Sequence, residues 1–203
     1  MPIIESIQVA SVAVPLDKVT SFSTRTVSER HYCLVKVRGK DGNEGIGFCY
    51  VGSAGGDIAK IAVEQLLAPK LIGQNSHRSE GLWMEMYNES ILQGRAGAVM
   101  RGISILDTAL WDLNARAVGL PLHHYLGSVV DDRVPAYASG GYYLDGKTPA
   151  KLGKEMESYV KQGFKAVKMK VGRLSPSEEE ARVQAARKAI GDDILLTLDA
   201  NNA

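Results

Sequence analysis

Apolar and polar residues alternate through Ile3 to Val14, through His31 to Arg38 and through Glu44 to Tyr50, which is the period-two rhythm of half-buried strands. Lys40-Asp41-Gly42-Asn43 supplies turn residues between the last two runs, so the first fifty residues predict a small antiparallel sheet. The polar stretch Thr20 to Ser28 and the glycine-rich Val51 to Gly56 keep neither period and read as loops, a common seat of function. Helical spacing follows over Asp57 to Leu67, Ser79 to Leu92 and Ala98 to Val118, the last stopped by Gly119 and Pro121.

A different order begins near Arg133. Val134 to Ser139 predicts a strand, and Thr148-Pro149 opens a helix with an N-cap and a proline at the first helical position; Gly163 ends it. Phe164 to Val171 is the next strand. Ser175-Pro176-Ser177-Glu178 then forms a capping box, Gly191 closes that helix, and Ile194 to Asn201 is a third strand. Strand, helix, strand, helix, strand at this spacing predicts consecutive parallel crossover units, compatible with either a barrel or an open doubly wound sheet.

Composition narrows the function classes. With 45% hydrophobic and 23% charged residues, the chain is an ordinary globular one, and its net charge of +1 comes from interspersed basic and acidic residues. No basic field offers itself to nucleic acid, no apolar run reaches the roughly 20 residues of a membrane span, and no leader pattern opens the chain, so the expectation is a cytoplasmic protein. Cys33 and Cys49 match neither a zinc spacing nor a disulfide framework and read as reduced structural thiols. Gly45-Ile46-Gly47 lies in a strand and opens no helix, which makes it a poor phosphate loop.

The residues with chemistry sit where the last two strands end. Lys168 and Lys170 flank Met169, and Asp199 and Asn201 flank Ala200. Side chains two apart on a strand share a face, so each pair projects to one side, and parallel crossover units bring both pairs to neighbouring carboxyl ends. Two lysines in a strand are most often a solvated face, and Asp-x-Asn after a strand is most often a turn. Their joint occurrence at consecutive strand ends points instead to a general base facing a metal. Burial and like charge disfavour a protonated lysine and bring it from ~10.4 to about 7–8, while Asp199 offers a hard oxygen to a divalent cation.

Phe164 to Gly172, with its Lys-x-Lys, and Leu198-Asp199-Ala200-Asn201 resemble the signatures of the mandelate racemase and muconate-lactonizing branch of the enolase superfamily. The stretch Arg95 to Gly127, through Ala109-Leu110-Trp111-Asp112-Leu113 and Gly119-Leu120-Pro121-Leu122, is similar to that family's helical approach to its barrel. The resemblance implies an α+β capping domain over residues 1–132 and the start of a TIM-type (β/α) barrel over residues 133–203, truncated after its third strand. It implies Lys170 as general base, Lys168 as its charged neighbour and contact to the substrate carboxylate, Asn201 as a hydrogen-bonding group, and Asp199 as the first of three carboxylate ligands to Mg2+. The capping-domain loops imply substrate contacts at Thr20, Phe22, Arg25, Gly52 and Ser53, and the family implies a homo-oligomer.

Residues 133–203 fall far short of the roughly 250 residues of an eight-unit barrel, so the expectation is a piece of a longer enzyme, inactive alone. The reaction implied is metal-assisted loss of the proton next to a carboxylate. Arg25 and the hydroxyl-rich loops favour an acid sugar, which would be dehydrated; racemisation of a 2-hydroxy acid and muconate-type cycloisomerisation stand behind it. The reading of another class is a non-catalytic remnant that only binds a partner.

Overall fold

A computed structural model describes residues 2–127, 133–201 and 203. The expected domain boundary at 132/133 borders on residues 128–132, which lie outside the described residues. The chain divides into two compact units, Met1–Pro15 with Glu29–Asp132 and Leu16–Ser28 with Arg133–Ala203. The second unit therefore takes in a stretch from the first thirty residues, which a linear reading of the sequence does not show.

In the first unit a three-stranded sheet has the order β1-β2-β3, with β1 Ile4–Phe22, β2 Arg25–Gly39 and β3 Glu44–Gly52. The expected turn is present: the Gly39 N–H donates to the Asn43 carbonyl at 2.9 Å, and Gly42 takes a φ of 86° that suits glycine. The stretch 20–28, expected as a loop, is instead strand on both sides of a tight turn at Ser23 and Thr24. Its hydroxyl-rich residues alternate no apolar face because much of this ribbon is exposed, so the pleat leaves no signature in the sequence.

Helix α1, Gly56–Ile61, runs through a π-helical stretch, Ala62–Leu67, into α2, Ala68–Leu71; the wide turn comes just ahead of Pro69, which has no N–H to donate. Helices α3, Ser79–Glu89, α4, Ala98–Ala117, and α5, Leu122–Tyr125, complete the unit. Helix α4 presents Ile103, Leu106, Leu110 and Leu113 to a core shared with Val35, Val37, Leu67 and Leu82. Gly45 and Gly47 let α4 lie directly on β3: a Cβ on either would stand 2.1 Å from a carbonyl oxygen of α4. The Gly-Ile-Gly run is thus a packing feature, fixed further by Asp112, which accepts from the Ile46 N–H at 2.9 Å. No helix among the described residues is long and apolar enough to cross a membrane.

The second unit holds three parallel strands in sequential order, β4 Ala138–Ser139, β5 Ala166–Lys170 and β6 Leu195–Asp199. Strand β4 is shorter than expected because Val134 to Tyr137 stand exposed ahead of the paired residues. Helix α6, Pro149–Lys161, starts on Thr148, whose hydroxyl accepts from the Lys151 N–H, and α7, Pro176–Ile190, starts on the capping box of Ser175 and Glu178. Leu152 and Met156 of α6 and Ala186 and Ile190 of α7 all pack with Val167 and Met169 of β5. Both helices therefore cover one face of the sheet, as sequential right-handed crossovers require. The other face is left to the lysines.

Candidate active site

Strand alternation puts Val167 and Met169, both fully buried, into the helix-facing core, and turns Lys168 and Lys170 the other way. Register then fixes their neighbours: Lys168 stands opposite Thr197, and Lys170 opposite Asp199. The two ammonium groups converge on one oxygen. Asp199 Oδ2 lies 2.9 Å from Lys168 Nζ and 2.7 Å from Lys170 Nζ. Lys170 is the deeper of the two, its side chain 8% exposed against 26% for Lys168.

The shared carboxylate changes the expected electrostatics. Its hydrogen bond holds Lys168 above the ordinary lysine value, against a smaller opposing effect of burial, where mutual depression of the lysines was expected. Asp199 is pulled well below the usual carboxylate range, first by the hydrogen bond from Lys170, then by Lys168 and by the Asn201 N–H at 2.9 Å.

Asn201 does not continue the strand. Its φ of 47° curls the chain after Asp199, so that its N–H caps Asp199 Oδ1, while its own Oδ1 is buried and has no hydrogen-bond partner among the described residues. The hairpin tip from residues 16–28 belongs to this unit and brings Phe22 to the site: the Phe22 ring centroid lies 5.8 Å from Lys170 Nζ and that of Tyr142 5.5 Å. The two rings meet edge to face at 6.3 Å and wall the buried amine. Ser23 Oγ donates to the Asn201 carbonyl at 3.4 Å.

Phe22, Lys168, Lys170, Asp199 and Asn201 are thus gathered in one place. Thr20 and Arg25 lie on the same hairpin tip, while Gly52 and Ser53 lie at the end of β3 in the first unit. Sequence reasoning missed Tyr142, Ser23 and Tyr137, whose ring lies 5.8 Å from Lys168 Nζ. The signal for Tyr142 was Gly140-Gly141-Tyr142-Tyr143 directly after a strand. Gly141 passes so close to β5 that a Cβ there would stand 2.5 Å from Met169 Cβ.

The donor set suits part of a hard-cation site. Asp199 offers an anionic oxygen, and Asn201 Oδ1 is a second oxygen without a hydrogen-bond partner among the described residues. Among the described residues no group of three or more His, Cys, Asp or Glu side chains gathers to hold a metal.

Residues 4–127 match the mandelate racemase / muconate lactonizing enzyme family, N-terminal domain, and residues 151–203 match the enolase C-terminal domain-like family. The chain belongs to the mandelate racemase / muconate lactonizing enzyme family. The chain is similar to an arabinonate dehydratase of Saccharolobus solfataricus, 38% identical over 72% of this chain and 39% of the relative. A 3,6-anhydro-alpha-L-galactonate cycloisomerase of Streptomyces coelicolor is 32% identical over 98% of this chain and 54% of its own. Among solved structures, L-talarate/galactarate dehydratase from Salmonella typhimurium LT2, liganded with Mg and L-lyxarohydroxamate, superimposes with a TM-score of 0.89 at 29% identity. That match covers 98% of this chain and 51% of the other. The chain spans about half the length of these relatives or less.

Proposed function

We propose that this chain carries the base-bearing side of an active site that removes the proton α to the carboxylate of an acid sugar and so initiates its dehydration. The observation that carries the reading is the convergence of Lys168 and Lys170 on Asp199 at the ends of adjacent parallel strands. The matched dehydratases support the choice of substrate class. The three sequential strands with both helices on one face are the beginning of a (β/α) barrel, whose carboxyl ends are its reactive end.

Lys170 is the base: its side-chain nitrogen lies between Phe22 and Tyr142, deeper in the site than that of Lys168, and in its deprotonated form takes the α-proton. Lys168, held in its ammonium form and more open to solvent, binds the substrate carboxylate. Asp199 contributes one ligand to Mg2+, and Asn201 Oδ1 stands ready as a second oxygen or as an acceptor for a substrate hydroxyl. When bound, Mg2+ supplies Lewis-acid stabilisation of the negative charge that develops on the carboxylate. As the Cα–H bond breaks, its proton passes to Lys170 and its electrons go on to form the C–C double bond, while the β-hydroxyl takes a proton from a general acid and leaves as water. The enol so formed becomes a 2-keto-3-deoxy acid.

The test uses the complete protein with Mg2+ and a panel of aldonic and aldaric acids that includes arabinonate and galactarate. Formation of a 2-keto-3-deoxy acid from one of them is the expected result. Rearrangement without loss of water would move the assignment to cycloisomerisation, the activity named for the Streptomyces relative. No reaction and no α-proton exchange with any of the acids would overturn it.

A further inference from the structure

Glu179 stands in the first turn of α7, where an acidic residue ordinarily does no more than complement the helix dipole. Here its carboxylate turns back onto the loop that follows β5. Oε1 accepts from three successive backbone N–H groups, Gly172 at 3.1 Å, Arg173 at 3.0 Å and Leu174 at 3.0 Å, and from the Tyr143 hydroxyl. Oε2 accepts from Arg182 Nη1 at 3.4 Å, and the side chains of both are largely buried. One carboxylate thus fixes the curl of the chain directly after Lys170.

Two arms run from this knot to the hairpin tip. Arg173, whose N–H Glu179 holds, extends its guanidinium to the Ser23 carbonyl at 3.3 Å and to Thr26 Oγ1 at 3.5 Å. Tyr143, whose hydroxyl Glu179 holds, exchanges backbone hydrogen bonds with Ser21 in both directions, at 3.0 and 2.9 Å. Between these anchor points lies Phe22, the residue that walls Lys170. Besides these arms, the tip is held by the Phe22 ring against Tyr142 and by Ser23 on the Asn201 carbonyl, while Thr24 to Thr26 are exposed.

We infer that Glu179 is a positioning residue that latches the hairpin tip 21–26 over Lys170, acting through Arg173 and Tyr143. Its kinetic consequence rests on the proposed function: a loosened tip leaves the base in place and weakens the hold on substrate.

The test is hydrogen–deuterium exchange of the complete protein in Mg2+ without substrate, read on peptides spanning residues 20–27. Glu179→Ala should speed exchange of the tip about tenfold or more, while the helices of the first unit keep the parent's protection. Glu179→Gln still presents an oxygen at the Oε1 position and should stay within about threefold of the parent. With the acid sugar, Glu179→Ala should raise KM about tenfold and leave kcat within about threefold. Unchanged exchange of the tip in Glu179→Ala, or a Gln variant as open as the Ala variant, would overturn the latch. Should Glu179→Ala fail to fold, Arg173→Met cuts one arm alone, and a tip no faster than the parent's would have the same meaning. Because exchange is read without substrate, a protein that turns over no acid sugar would sink the proposed function and leave the latch to be decided by exchange.

Discussion

Lys170 and Asp199 stand opposite each other in register on adjacent parallel strands, and their side chains meet at 2.7 Å. The pair joins the deepest charge of the site to the carboxylate proposed for the metal, so each depends on the other for its compensation. Removing the anion leaves a largely buried ammonium without a counter-charge.

Asp199→Ala should therefore destabilise the protein by about 1–3 kcal/mol, the cost of stranding a buried polar or charged group. Adding Lys170→Met to it should recover part of that loss, because the stranded charge is then gone. Urea midpoints of the parent, both single variants and the double variant measure the coupling; strict additivity would show that the pair contributes nothing.

Stability should hold through neutral pH and decline above about pH 10. Burial pushes Tyr143 and Tyr159 up to about 12, each helped by a carboxylate, Glu179 and Glu155 respectively. A phenol whose folded value exceeds its unfolded value of 10.0 loses nothing below pH 10 and costs stability as pH rises from there toward 12. Lys168 acts in the same direction: the contribution of its ion pair is complete below the unfolded lysine value and is lost as pH rises through the higher folded one. Thermal melts across pH 8 to 11 check this, and Tyr143→Phe together with Tyr159→Phe should flatten the alkaline limb.

Gly47→Ala should cost about 3 kcal/mol or prevent folding, since the new methyl would stand 2.1 Å from the Ile105 carbonyl oxygen. Gly73→Ala is the contrast. At φ +85° with nothing within 4 Å, it meets only backbone strain and should cost about 1–2 kcal/mol. Denaturation curves of the two variants separate close packing from conformational preference.

Strands β5 and β6 and the gathering of their charged ends were legible in the sequence because charge interrupts apolar runs in a place where burial forbids it. Val167 and Met169 against Lys168 and Lys170 fix the faces by period two, and nothing in the structure shifts that register. The hairpin tip was not legible. Its turn uses Ser23, at a φ of 44°, where glycine or asparagine usually announces the bend, and its exposed ribbon carries no apolar stripe. Packing of Phe22 against Lys170 joins residues far apart in the chain, and no local pattern encodes it. Glu179 was legible only as a helix-start acid, because its partners appear once Gly172 turns the loop back at a φ of 91°.

The most direct test of the proposed chemistry is exchange of the substrate α-proton in D2O, followed by NMR on the complete protein with Mg2+ and an acid sugar that the protein turns over. The parent should incorporate deuterium, Lys168→Met should do so with a raised KM, and Lys170→Ala should lose exchange by about 10²–10⁴-fold while remaining folded. A Lys170→Ala protein that exchanges the α-proton at the parent's rate would contradict the assignment of the base and return the lysine pair to a purely structural role beside Asp199.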